Sequence, residues 1–189
     1  KRITKDGEYN TIINGAVDWV YEEEFGMSKG FGWNSDGTKI AFYRFDESAV
    51  KQWQMITYGK LYPDLYKFKY PKAGGSNSIV QVFIADAQKG GCKLIDLNSD
   101  ADQYIPRIKW TKNPNVLSVQ RLNRLQNKWE LLMVEGTNVQ VSLEETNSRY
   151  VDITDDLFFL SDKKHMIVSS ERDGYKHLYF HKVDGPQIF

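Results

Sequence analysis

One cysteine, Cys92, occurs in 189 residues, so no internal disulfide can form. A single thiol does not fix the redox compartment, because exported proteins without disulfides are common. The three histidines, His165, His177 and His181, lack the cysteine or carboxylate spacing of a zinc site. They read as packing or surface residues, and no metal or cofactor is expected. No apolar run approaches the length of a membrane span. The opening residues Lys1-Arg2-Ile3-Thr4 do not compose a signal peptide. Neither charge predominates, with 25 basic against 25 acidic residues and no basic run beyond two, so nucleic acid is not an expected partner. A strong 3.6-residue stripe is also missing, which excludes a long helix.

What the sequence does have is aromatic residues, 14% of the chain, and short apolar or alternating runs bounded by turn clusters. That is the pattern of an all-β fold. The runs are 9–14, 39–45, 79–85, 93–97, 105–110, 116–122, 128–134, 138–143, 157–160, 165–170 and 177–182. Gln187-Ile188-Phe189 reads as the start of a further strand. One turn of helix is allowed at 19–25. An aromatic residue, a turn with Asp or Asn, then an apolar strand recurs three times. The copies are Trp33-Asn34-Ser35-Asp36-Gly37, Trp110-Thr111-Lys112-Asn113-Pro114 and Phe159-Leu160-Ser161-Asp162. Repeats of roughly 40–50 residues with about four strands each suit β-propeller blades. Three hairpins of one sandwich are the alternative. The first interval is longer, and its excess, residues 46–78, reads as an insertion that protrudes from its blade.

The stretch that points to chemistry is Asp18-Trp19-Val20-Tyr21-Glu22-Glu23-Glu24-Phe25. Three adjacent carboxylates repel one another, so a chain that sets them among aromatics has either a solvated face there or a functional reason to keep them together. The run follows the turn dipeptide Asn14-Gly15 and so falls on a connection, where folds place binding groups.

DWVYEEEF resembles the double-glutamate motif of the dipeptidyl peptidase IV family, serine peptidases of the prolyl oligopeptidase clan. Three further pieces agree in order: Trp33–Thr38 followed by Ile40-Ala41-Phe42, then Tyr70-Pro71-Lys72-Ala73-Gly74, then Gly174-Tyr175-Lys176-His177-Leu178-Tyr179. The resemblance implies that residues 1–189 are one fragment of an N-terminal β-propeller domain. The fragment would hold about three to four four-stranded blades of an eight-bladed propeller, followed in the parent by an α/β-hydrolase domain of the same chain. It implies an enzyme that releases X-Pro or X-Ala dipeptides from peptides with a free N-terminus. It places the amine-binding carboxylates at Glu23 and Glu24, with Glu22 toward solvent. The aromatic wall of the S2 subsite falls near 149–154, with Tyr150 the nearest ring. An arm at 53–70, bearing Tyr58, Tyr62, Tyr66 and Phe68, is expected to meet the partner of a homodimer. An extracytoplasmic location for the parent follows from the resemblance alone.

A peptidase of this clan needs a nucleophile elbow, G-x-S-x-G, followed by an Asp and a His. Neither the G-x-S-x-G spacing nor a catalytic residue is expected in this chain. Two other readings stay open. One is a non-catalytic propeller that binds a protein partner, and the other is a structural piece whose acidic run has no ligand. An elbow serine downstream in the parent would separate the peptidase from the binding module.

Overall fold

The computed structural model describes residues 2–97 and 102–185. The first sheet joins β1 (Ile12–Asn14), β2 (Phe31–Trp33), β3 (Lys39–Asp46), β6 (Ile79–Asp86) and β7 (Cys92–Leu94). Both β1 and β2 pair with the same side of β3, so together they fill one innermost strand position. The helix α1 (Trp19–Glu23) interrupts that position. The second sheet is a meander of β8 (Gln103–Trp110), β9 (Val116–Asn123), β10 (Lys128–Glu135) and β11 (Asn138–Thr146). The third is β12 (Leu157–Phe159), β13 (His165–Ser170) and β14 (His177–Lys182). β4 (Gln52–Thr57) and β5 (Asp64–Lys69) pair only with each other.

The sheets pack in series. One apolar cluster runs from Phe45 and Val82 through Ile105, Leu117 and Leu131 to Leu157 and Met166. β10 is buried along almost its whole length, which is why Leu131–Val134 reads as a continuous apolar run rather than an alternation, and the buried Glu130 beside it is paired with Arg121. A single sandwich would need two facing sheets. Three successive sheets, each against the next, make an arc of a β-propeller.

The recurring aromatic-turn motifs occupy one rim of this arc. Asn34 accepts from the backbone N–H groups of Thr38 and Lys39, and Asp162 from those of Lys164 and His165. Asn34 also donates to the Pro114 carbonyl at 3.0 Å, and Trp110 donates to Gly32 O at 3.0 Å. These bonds clamp the first sheet to the second. The repeat therefore closes hairpins with its side chains, and between the first two sheets it also joins neighbours.

Two expectations need adjustment. The run at 9–14 shortens to β1, because Asn10 takes a left-handed φ of 56° and Ile12 N bonds back to Glu8 O. The stretch 93–97 pairs as strand only at Cys92–Leu94, after which Ile95 N still bonds Val82 O at 2.9 Å. Gln187, Ile188 and Phe189 lie outside the described residues.

Candidate functional site

Five residues cannot hold a helix in water by propensity alone, so α1 is fixed by its surroundings. Asp18 caps it: the carboxylate accepts from Tyr21 N at 3.0 Å and from Ser78 Oγ at 2.6 Å. Tyr21 is buried against Phe25, Tyr43 and Phe45, and its hydroxyl accepts from Ile105 N at 2.7 Å. Phe25 meets Tyr104 edge-on. One face of α1 is thus driven into the junction of the first two sheets.

The opposite face carries the glutamates. Glu22 and Glu23 are helical and Glu24 is the C-cap, and all three are exposed. Among the described residues no cation pairs with any of them. Glu22 sits in the first turn, where the helix dipole favours an acid. Glu23 and Glu24 sit at the last turn, where the dipole opposes them and a bound cation would offset it.

Beneath α1 lies a second, unexpected carboxyl. Glu47 is 6% exposed at the foot of the β4–β5 hairpin, with no hydrogen-bond partner for its side chain among the described residues. Burial, then the nearby Asp18 charge, pushes its pKa up to about 7, while Lys69 opposes the shift. Burial also raises Asp18, although its bond from Ser78 counteracts this. The folded state therefore binds a proton at Glu47 more readily than the unfolded chain does. Its contribution to stability is greatest below about pH 4.5 and falls as pH rises to about 7. Glu47→Gln should remove that slope. The variant should be more stable than the wild type at pH 8 by on the order of 1–3 kcal/mol, with the gap closing near pH 4.5. Urea midpoints at the two pH values check this, and an equal gap at both would contradict it.

Tyr150 stands on the rim opposite the aromatic-turn motifs, the same rim as the glutamates, and is 65% exposed. It lines a cleft of about 310 Å³ between the second and third sheets, with Trp129, Arg149, Ile153, Ser169 and Arg172. In the cleft wall, Glu145 accepts from Arg172 at 2.7 Å and from Ser170 Oγ at 2.8 Å. The loop that carries Tyr150 is held by Gln120 donating to Thr154 O at 2.9 Å and by the Arg107–Asp155 ion pair. That pair holds the Asp155 carboxyl below its ordinary range. The glutamates do not line this cleft. They share its rim because Ile105 and Tyr104 at the start of β8 contact α1, while Glu145 and Ser170 close β11 and β13 at the same end. On the arm, Tyr58 and Tyr62 are 82% and 80% exposed at the tip, Tyr66 is 52% exposed, and Phe68 is half-buried near the base.

One expectation is corrected. The G-x-S-x-G spacing does occur, at Gly26-Met27-Ser28-Lys29-Gly30. It is not an elbow. An elbow is a strand-to-helix turn, whereas Ser28 is exposed on the loop that leaves α1 and enters β2. Gly30 is needed there for a different reason: a side chain would collide with the Ala16 carbonyl. No histidine contacts Ser28. His165 bonds Asp162, His177 lies 3.9 Å from Asp173, and His181 is fully buried in the third sheet.

A family model for the dipeptidyl peptidase IV (DPP IV) N-terminal region matches residues 1–188. The chain belongs to the dipeptidyl peptidase IV family. It superimposes on the crystal structure of Porphyromonas gingivalis dipeptidyl peptidase 4 with a TM-score of 0.92 and 40% identity, covering 99% of this chain and 28% of that one. The venom dipeptidyl peptidase 4 of Vespa velutina is 32% identical over 88% of this chain and 23% of its own length. The inactive dipeptidyl peptidase 10 of Mus musculus is 31% identical over 93% and 22% respectively. The chain thus spans about a quarter of the length of these dipeptidyl peptidase IV relatives. Among its described residues no cluster of three metal-ligating side chains occurs, and no helix is long and apolar enough to cross a membrane.

Among the groups around the site, the Asp18 cap carries a local signal, an acid just before a helical turn. Glu47 and the Glu145–Arg172 pair carry no local sequence signal, because only tertiary packing buries them.

Proposed function

We propose that this chain is the substrate-recognising propeller section of a serine exopeptidase that releases X-Pro or X-Ala dipeptides from peptide N-termini. Glu23 and Glu24 bind the free α-ammonium. The observation that carries the reading is the exposed, unpaired carboxylate pair on a helix whose other face is locked into the core. Each charge-assisted bond is worth roughly 1.5–3 kcal/mol. Side chains adjacent on a helix diverge by about 100°, so the ammonium sits between them over the helix end. An acylated or internal nitrogen brings no charge and leaves two anions unbalanced, so the site also repels the wrong substrate.

The cleft at Tyr150 supplies an aromatic wall on the S2 side. The α/β-hydrolase domain of the same parent chain supplies the nucleophile. The 46–78 segment, with its exposed Tyr58, Tyr62 and Tyr66, docks on the partner of a homodimer, since aromatic protrusions of this kind are enriched at interfaces. The parent acts outside the cytoplasm.

A second reading is a non-catalytic propeller that binds a protein partner. It is favoured by the 31% identity to a relative named inactive. Turnover separates the two. The parent should cleave a Gly-Pro chromogenic amide, whereas the isolated 189-residue chain should not. Hydrolysis by the purified chain that a serine-directed inhibitor abolishes would contradict this assignment, and an inert parent would favour the second reading.

A further inference from the structure

We propose that Tyr70, where the β4–β5 hairpin rejoins the first sheet, positions the glutamate helix through Trp19, coupling the hairpin to the amine site. The proposal rests on the reading of Glu23 and Glu24 given above and adds to it residues that touch no substrate.

Tyr21 and Phe25 anchor one side of α1 and Asp18 caps the start, as described. Trp19 goes the other way. Its ring lies 4.2 Å from that of Tyr70, centroid to centroid, at an interplanar angle of 53°. Trp19 and Glu23 are four residues apart on the helix and so lie on the same face, one turn apart. A tilt of the Trp19 ring therefore displaces Glu23 and the Glu24 cap that follows it. A five-residue helix has too few backbone bonds to resist such a tilt on its own.

Tyr70 belongs to the hairpin. Its backbone N–H donates to Lys51 O at 3.0 Å, closing the hairpin base. Its ring meets Trp53 and Phe68, each at 6.1 Å, and Phe68 stacks on Tyr66 at 5.5 Å. The Lys72 ammonium covers the Trp53 ring at 4.3 Å. A ladder of rings thus runs from α1 through Tyr70 to the exposed strand face of the hairpin. The hairpin is also held by polar bonds: Tyr9 and Asn10 both donate to Lys67 O, at 3.0 and 3.4 Å, farther along β5. Holding the hairpin still, as a docked partner would, holds Trp19 still. Removing the Tyr70 ring frees both.

The test uses the full parent protein. Tyr70→Ala should raise KM for a Gly-Pro amide by about three- to tenfold while kcat changes less than twofold. It should also speed backbone hydrogen exchange across residues 18–25 and leave exchange in β9 and β10 unchanged. Tyr70→Phe, which keeps the ring, should restore both readouts. Trp19→Leu should raise KM similarly and add nothing further to Tyr70→Ala, since the two remove one contact. Unchanged exchange at 18–25 in Tyr70→Ala, or additive effects of the two substitutions, would overturn the coupling. If Glu24→Gln leaves KM unchanged, the amine-binding reading fails, and the exchange measurement still decides whether Tyr70 holds the helix.

Discussion

Glu23→Ala and Glu24→Ala in the parent enzyme should each lower kcat/KM for a free-amine dipeptide amide by about 2–4 kcal/mol, roughly 30- to 1000-fold. Each removes one charge-assisted bond from the ammonium and leaves the other carboxylate to bind it alone. Among the described residues neither pairs with a cation, so the loss is felt in binding and not in folding. Glu22→Ala should cost under about 1 kcal/mol, as an exposed change does. Its small penalty comes from the first helical turn, where Glu22 interacts favourably with the dipole. If Glu22 proves the costliest of the three, the assignment along the run is off by one residue.

Tyr21→Ala should destabilise the fold by about 3–5 kcal/mol, the cost of removing a large buried ring. Tyr21 is 3% exposed and stands among Phe25, Tyr43 and Phe45. Its hydroxyl also satisfies Ile105 N, a buried backbone donor at the head of the second sheet. Tyr21→Phe isolates that bond and should cost about 1–3 kcal/mol, the desolvation of an unpaired donor. Because Tyr21 joins α1 to the second sheet, both substitutions should weaken amine recognition as well as stability. Chemical denaturation measures the first effect and KM the second. A Tyr21→Ala protein as stable as the wild type would mean that the helix is not locked into the inter-sheet junction.

The fold was readable where local chemistry and periodicity agree. Trp33, Trp110 and Phe159 each end an innermost strand, and the Asn or Asp that follows closes a hairpin with its side chain, so the repeat shows both in sequence and in space. The single turn allowed at 19–25 is α1, because Asp18 precedes it as a cap and Tyr21 and Phe25 are spaced for one buried face. The strands of the hairpin were less visible. Gln52–Thr57 and Asp64–Lys69 lie almost wholly in solvent, so no buried face imposes an alternation on them. Glu47 shows the opposite failure. It reads as one more acid in Asp46-Glu47-Ser48, yet its backbone N–H must reach Thr11 O at 2.7 Å, and this draws the side chain under the hairpin. The glycines and serine at 26–30 spell a catalytic pattern by coincidence, since the strand and helix around them come in the wrong order.

The most direct test of amine recognition by the glutamate pair is the ratio of kcat/KM for a free Gly-Pro amide to that for its N-acetylated form. It is to be measured in the parent enzyme and in its Glu23→Gln/Glu24→Gln variant. Replacing both carboxylates by neutral amides keeps the shape and removes the charge. The large preference for the free amine should collapse by at least about 100-fold, chiefly through loss of the free-amine substrate. A ratio that survives the double substitution would show that another part of the protein reads the N-terminus.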